Sequence, residues 1–465
     1  MTVPAPAAPP GVPAATGGVW APGRRLLTAG LVLTITLAAF ESLAIATVMP
    51  VVEDDLGDLA LYGWVFSGFF LGSLVGIVVT GVLTDRRGPA LPFALGLALF
   101  AAGLVAGGLA DSMAVLVAAR VVQGVGAGTI PASAYASVAR GYPPAARPRI
   151  FAIMSTAWVV PGVVGPSLAV VIEHAASWRA VFLGLLPLVA LAAAITVPSL
   201  LGLGRAAPRA RAGDGARLGH VALLVLGVGA VLAAGQASTA LLAVALVAAG
   251  APIAALAFLR LVPPGTARLA PGLPATVAVR GILTWSFFGA DAFISLAVTT
   301  GRGGSTFLAG AALTVTSVLW SAGAWIQERV IGRTGPRRLD RIAFLLLAAS
   351  GLAMVVVVLA LPAWAAVGAW GVAGLGMGLG YAPLSVTALG AAAPGREGEA
   401  SAALHLCDVL GVSIGTGLAG AVVALGDGRG WDVSSGLALA FLLGVAVAGA
   451  GAGAARRLPA RVPAH

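Results

Sequence analysis

Lysine and asparagine are absent from this 465-residue chain, cysteine occurs once, and only 9% of the residues are charged. Each shortage excludes something. The lone Cys407 leaves no internal disulfide to brace the fold. A soluble domain carries about 25% charged residues, so neither a water-soluble enzyme nor a solvated disordered chain fits this composition. The net charge of +10 comes from 27 arginines against 17 acids, too few charges to coat a nucleic-acid-binding surface. What is abundant is apolar: 59% of the residues are hydrophobic and the mean hydropathy is +1.01. The chain reads as integral to a membrane.

A helix needs about 20 residues to cross a hydrocarbon core of about 30 Å, so uncharged runs can be counted as crossings. Residues 1–23, rich in Pro, Ala and Gly, read as a flexible tail. The apolar run after Arg24 and Arg25, ending at Pro50, is too long for a signal peptide and forms the first span. Runs at 59–84, 88–110, 150–172, 180–204, 303–327 and 433–455 each fit one helix. Runs at 112–139, 281–301 and 400–426 fit one each, interrupted by Arg120, Asp291 and Asp408. The 218–259 run would be about 63 Å long as a single helix, and the 342–395 run longer still. Breaks at Gln236–Thr239 and Leu361–Pro362 divide them, which gives fourteen spans.

The loops sort the charges. All arginines except Arg120, Arg179, Arg302 and Arg429 fall on one side, Arg280 among them. The opposite side collects Glu53, Asp54, Asp55, Asp58, Asp111, Glu173, Asp427 and Asp432. The positive-inside rule then predicts a multi-pass protein of the inner (plasma) membrane with both termini cytoplasmic. Trp20, Trp178, Trp364 and Trp431 fall near the expected interfaces and read as anchors.

An internal repeat organises the spans. Gly124-x-Gly126-x-Gly128-x-x-Pro131 in span 4 returns as Gly376-x-Gly378-x-Gly380-x-x-Pro383 in span 12. Arg86-Arg87-Gly88-Pro89 after span 2 returns as Arg333-Thr334-Gly335-Pro336 after span 10, and Glu41 in span 1 returns as Asp291 in span 9. Each offset is eight spans. The reading is an all-α membrane protein of two pseudo-symmetric six-helix bundles plus two inserted helices, the parallel duplication of a transporter. Its parts are the halves 24–204 and 280–455, a cytoplasmic linker 205–217, accessory helices 218–260, a connector 261–279 and a tail 456–465. The glycines lie inside apolar helices with no strand before them, so close helix packing explains them better than dinucleotide binding.

On these residues the chain resembles the major facilitator superfamily, specifically its fourteen-helix drug:proton antiporter branch, over nearly its whole length. Gly81-x-Leu83-x-Asp85-Arg86-x-Gly88 is similar to the family's signature between spans 2 and 3. Arg120-x-x-Gln123-Gly124-x-Gly126 is similar to that of span 4, Gly162-x-x-Gly165-Pro166 to the antiporter signature of span 5, and the stretch from Phe40 and Glu41 to Pro50 to the acidic signature of span 1. The chain departs from the pattern at Pro89 and Ala90, where basic residues are usual, and at Ser167 to Val170, where glycines are usual. The resemblance implies proton-coupled export of hydrophobic or cationic small molecules by alternating access, as in multidrug efflux and antibiotic resistance. It gives Gly81, Asp85, Arg86 and Gly88 a gating role, with Gly162, Gly165 and Pro166 shaping span 5. Gln123 joins the substrate path.

A charge at the bilayer centre costs about 2.5–3.5 kcal/mol on insertion scales, so such residues normally serve a wet cavity or a partner. Four are expected to be embedded: Glu41, Arg120, Asp291 and Asp408. Counted from Pro50 and Asp111, Glu41 and Arg120 each lie about 13 Å from the acidic side, and they are expected to meet. Asp291, midway between Arg280 and Arg302, is expected near the midplane, and Asp408 at similar depth. His405 precedes Asp408 by three residues on the same helix face, a spacing that suits either a proton relay or a packed hydrogen bond. Three acids against one arginine would leave an uncompensated interior, so one or more carries a proton in some states. Trp158, Phe288, Phe293, Trp320 and Tyr381 are candidate cavity aromatics for lipophilic or cationic compounds.

No metal cluster, nucleophile triad or P-loop is legible, so the expected cofactor list is empty and a proton gradient is the expected energy source. The expected partners are a small hydrophobic or cationic substrate, protons and membrane lipids, with no nucleic acid and a monomeric state. Two other readings stay open: a lipid or lipid-conjugate exporter on the same fold, with spans 7 and 8 admitting substrate from the bilayer, and a non-transporting membrane scaffold or sensor.

Overall fold

The computed structural model describes residues 19–142, 159–203, 214–237, 239–392 and 397–461, together with 150, 153, 154 and 157. Among them every regular element is helical. The helices are α1 (Arg25–Leu56), α2 (Tyr62–Arg87), α3 (Ala90–Gly108), α4 (Met113–Gly141), α5 (Val159–Ala175), α6 (Trp178–Leu183), α7 (Leu186–Leu201), α8 (Asp214–Ala233) and α9 (Ala240–Leu261). They continue as α10 (Leu273–Asp291), α11 (Ile294–Val298), α12 (Thr306–Thr334), α13 (Pro336–Leu359), α14 (Ala365–Gly390), α15 (Glu397–Asp427) and α16 (Val433–Ala454). Lipid offers no hydrogen bonds, so the backbone must satisfy itself within each segment, and only helices do that in an open bundle. Among the described residues thirteen segments are long and apolar enough to cross a membrane, with α6–α7 and α10–α11 each acting as one segment. The apolar part of α5 is shorter, and fourteen crossings are compatible with this arrangement.

Burial ranks the spans. In the α10–α11 segment 72% of the most apolar window is buried, against 11% in α9. The former is central and the latter faces outward. The accessory α8 packs on α9 through Gly227, Gly250 and Ala254, and reaches α15 where Leu232 meets Gly417. A groove of about 370 Å³ between α2, α4 and α8 is lined by apolar side chains such as Trp64, Leu71, Val121 and Val225.

The glycines of α4 and α14 allow backbones to touch. A Cβ on Gly124 or Gly128 would strike the α2 carbonyls of Phe69 and Ser73, and one on Gly126 would strike α3 at Gly96 and Phe100. In the second half Gly374 and Gly378 lie against Thr316 and Trp320 of α12, whereas Gly376 faces α13. The repeat is therefore real but its register differs from the sequence reading. The triplet Gly124, Gly126, Gly128 matches Gly374, Gly376, Gly378, and Gly380 is an extra glycine facing α13. The turn after α2 and the turn after α12 match too: Gly88 and Gly335 both hold a positive φ, 82° and 74°. Each also caps the helix before it with its own N–H. A left-handed residue there is what glycine permits without a Cβ penalty, and the following Pro89 and Pro336 suit a helix start.

The halves meet near the acid-rich end. Tyr62 donates to the Ala292 carbonyl at 3.5 Å, Ser67 shares a 3.0 Å hydrogen bond with Thr416, and Gly63 abuts Gly420. Gly162 and Pro166 of α5 face Ser317 and Gly310 of α12.

Two boundaries and one anchor differ from the sequence reading. The first helix runs through Pro50 to Leu56, so Glu41 lies about 22 Å from that end. The second half begins at Leu273, because Gly272 and Pro274 start the helix well before Arg280. Trp178 is no interfacial anchor: it is 3% exposed and donates to Asp55 at 3.0 Å, beside the Arg179–Asp55 pair. Trp20, Trp364 and Trp431 are exposed.

Candidate functional site: three acid centres

The first centre joins α1, α2 and α4. Glu41 sits midway along α1 with no exposed surface, and Arg120 projects to it from α4. The Arg120 Nη1 donates to Glu41 Oε1, and also to Gln123 Oε1 at 2.7 Å. Gln123 Nε2 in turn donates to Glu41 Oε1 at 3.1 Å. Arg120 Nε donates to the Val65 carbonyl at 3.2 Å, and its guanidinium lies 4.1 Å from the Phe69 ring centre. Arg120 and Gln123 are one helical turn apart, which is why both can address one carboxylate. Glu41 Oε2 has no hydrogen-bond partner among the described residues.

The second centre joins α10, α14 and α15. Asp408 accepts from Arg280 Nε at 3.0 Å and Nη2 at 3.4 Å, and from the Tyr381 hydroxyl at 2.9 Å. Arg280 Nη1 donates to the Tyr381 carbonyl at 2.6 Å, and the guanidinium stacks on the Tyr381 ring. His405 Nδ1 is 3.9 Å from Asp408, beyond hydrogen-bond range, and its side chain is 37% exposed against 12% for Asp408 and 0% for Glu41. Arg280 is thus not a loop residue. It is buried inside α10, about 10 Å from the helix start.

The third centre is Asp291, which accepts from Trp370 Nε1 at 2.7 Å. The Leu273 start places Asp291 about 8 Å toward the acid-rich end from the middle of its 26-residue span, not at the midplane. Glu41 and Asp291 lie 250 residues apart, and so do Arg120 and Trp370, the same offset as the matched glycines. Trp370 therefore stands where the first half has its arginine.

Aromatics connect the second and third centres. Trp370 stacks on Phe287 at 5.4 Å, Phe287 meets Trp320 at 5.4 Å edge-on, and Trp320 meets Tyr381 at 5.6 Å. Phe288 packs on Phe287 and Trp320. Three of the five expected aromatics, Phe288, Trp320 and Tyr381, thus come together. Phe293 does not join them: it is fully buried against Tyr62 at 5.3 Å, part of the seam between the halves. Trp158 lies outside the described residues, as do the side chains of Asp85 and Arg86 near the end of α2. Gly81 borders open space.

Sequence reasoning missed Arg280, Trp370, Phe287 and Asp340. The helix-start signal at Gly272–Pro274 would have placed Arg280 inside the span. Asp340 shares a helix face with the buried Ala343, Phe344 and Leu347, a periodicity legible in the sequence. Among the described residues the buried carboxylates and guanidinium groups are therefore three acids, Glu41, Asp340 and Asp408, and two arginines, Arg120 and Arg280, with Asp291 half-buried. No cluster of three or more His, Cys, Asp or Glu capable of holding a metal occurs among them.

A two-lobed helical bundle with a buried arginine–carboxylate pair inside each lobe is the architecture of a polytopic membrane protein of transporter type. The profile of the Major Facilitator Superfamily matches residues 31–416, and the chain belongs to that family. It is 28% identical over 465 residues to a probable multidrug-efflux transporter of Mycobacterium tuberculosis, covering 94% of this chain and 96% of that one. It is 27% identical over 456 residues to the methylenomycin A resistance protein of Streptomyces coelicolor, covering 93% and 94%. Among solved structures, a bacterial homologue of the human lysosomal transporter Spinster, inward-facing and unoccupied, aligns with a TM-score of 0.62 at 15% identity over 94% of this chain and 98% of that one. An auto-inhibited POT family peptide transporter aligns at 0.67 and 17% over 93% and 97%, a likeness of fold.

Proposed function

We propose that this protein is a proton-coupled secondary transporter that exports hydrophobic or cationic small molecules by alternating access. It would sit in a bacterial plasma membrane with the Arg-rich end and both termini in the cytoplasm. The carrying observation is Glu41: a carboxylate midway along a spanning helix, fully buried, with Arg120 and Gln123 on one oxygen and no hydrogen-bond partner for the other among the described residues. A carboxyl group so placed has room for a proton, and its ion pair forms or breaks with that proton. The Phe287–Trp320–Tyr381 cluster supplies the apolar and cation-binding surface that lipophilic cations need, with Asp408 at its edge. The names of the M. tuberculosis and S. coelicolor relatives support export of drug-like molecules. The proton gradient is the energy source in this reading, and no cofactor takes part.

The test is transport by purified protein in proteoliposomes. Ethidium movement should accelerate when a pH gradient is imposed and stop when an ionophore collapses it. Ethidium flux indifferent to the gradient would refute the proposal. A lipid exporter would instead move a fluorescent phospholipid between leaflets; the apolar groove between α2, α4 and α8 is the observation that keeps this second reading in view.

A further inference from the structure

Asp340, in the first turns of α13, is the one buried acid to which the preceding account gives no work. It has no exposed surface, and neither carboxyl oxygen has a hydrogen-bond partner among the described residues. An ionised carboxylate cannot rest unpaired in such a place, because its desolvation cost is uncompensated. Packing does not demand an acid there. The matched turns Gly88 and Gly335 align Asp340 with Phe93, a fully buried ring in the first half.

What lies near Asp340 is the second centre. Its Oδ1 sits against Gly380, where a Cβ would come within 3.2 Å, and the same spot touches Leu283. Leu283 is one turn along α10 from Arg280, and Gly380 precedes Tyr381, whose carbonyl holds the Arg280 guanidinium. Arg280 is the one buried cation of the second half among the described residues. Other ionisable groups on its neighbours point away. Glu328, Arg329 and Arg333 on α12, Arg337, Arg338 and Arg341 on its own helix, and Arg456 and Arg457 after α16 are all exposed, and α16 itself carries none. Tyr381 is the ionisable group that α14 presents. Counted along their helices from the Arg-rich end, Asp340, Arg280 and Asp408 lie at about 6, 10 and 16 Å.

We propose that Asp340 is the alternative partner of Arg280 and the site that sheds the exchanged proton. In the described state Arg280 neutralises Asp408, and Asp340 holds a proton. When a cation takes Asp408, Arg280 loses its counter-charge. The Asp340 O–H bond then breaks, its proton passes to water at the Arg-rich end, and the carboxylate pairs with Arg280. One positive charge enters the centre and one leaves it, so the buried net charge is the same before and after. That balance is what one-for-one exchange requires. The inference rests on the transporter reading above, and adds to it which carboxyl releases the proton.

The experiment compares two fluxes of ethidium in proteoliposomes: uptake driven by a pH gradient, and exchange of labelled for unlabelled ethidium without one. Asp340→Asn copies the protonated group and cannot release a proton. The ratio of driven flux to exchange should fall by about tenfold or more in this variant. Asp340→Glu should keep most of the ratio while moving the pH at which driven flux is half-maximal. An Asp340→Asn ratio equal to that of the unaltered protein overturns the proposal. Should that variant fail to fold, an Asp340→Glu pH profile identical to the unaltered one overturns it as well. An unaltered protein that ignores the gradient fails at the previous step, and takes both readings down together.

Discussion

The two arginine–carboxylate centres are built to different specifications. Glu41 and Arg120 are sealed, with side-chain exposures of 0% and 3%, and a glutamine braces both partners. Asp408 is 12% exposed beside a 37% exposed His405, and a second acid, Asp340, lies beside Leu283, one turn along α10 from its arginine. The sealed pair resembles a latch whose opening needs a large rearrangement. The second pair lies closer to exposed surface. Asp291 marks a third solution, since Trp370 answers it with a neutral donor where the first half uses a cation. The duplication has thus kept the position of the acid and changed its partner. Such asymmetry lets one lobe hold a charge constant while the other exchanges it.

Removing the arginines should separate the centres most sharply. Arg120→Leu leaves Glu41 and Gln123 stranded in a dry site, an uncompensated loss of about 3–5 kcal/mol. Arg280→Leu should cost less, about 1–3 kcal/mol, because Asp408 keeps the Tyr381 hydroxyl and its side chain is 12% exposed. Thermal unfolding in detergent would rank them, and equal losses would erase the distinction drawn here. Trp370→Phe keeps the stack on Phe287 and deletes one hydrogen bond to Asp291, so a loss of about 0.5–1.5 kcal/mol is expected. A larger loss would make Trp370 a counterpart of Arg120 in strength as well as position. His405→Ala should have the smallest effect, within about 0.5 kcal/mol on stability, because 3.9 Å is too long for a hydrogen bond to Asp408. A collapse of ethidium transport in this variant would instead give His405 the proton-relay role.

Much of this was legible in the sequence because lipid imposes a simple grammar. Uncharged run lengths marked the spans, and the duplication showed in Gly88–Pro89 and Gly335–Pro336. The same grammar hid Arg280 and Asp340. Counting uncharged residues ends a span at any charge, so a buried arginine two turns inside α10 looked like its border. Trp370 stayed unseen for another reason. The glycine pattern in α14 repeats every two residues, so the sequence allows two registers, and only backbone contacts with α12 and α13 select the one that sets Trp370 opposite Arg120. The Phe293 misplacement has the same root: a ring at a helix break can turn to a cavity or to the seam between halves, and Tyr62 decides it.

The central claim is that a carboxyl group sunk in the bundle trades its proton for a cationic substrate. Purified protein in weakly buffered detergent, mixed with ethidium while the pH is followed, reads that trade without a membrane gradient. The account predicts an acid pulse from the unaltered protein and a clearly smaller one from Asp340→Asn that still binds ethidium. Ethidium binding with no pulse from the unaltered protein, or an undiminished pulse from Asp340→Asn, would contradict it.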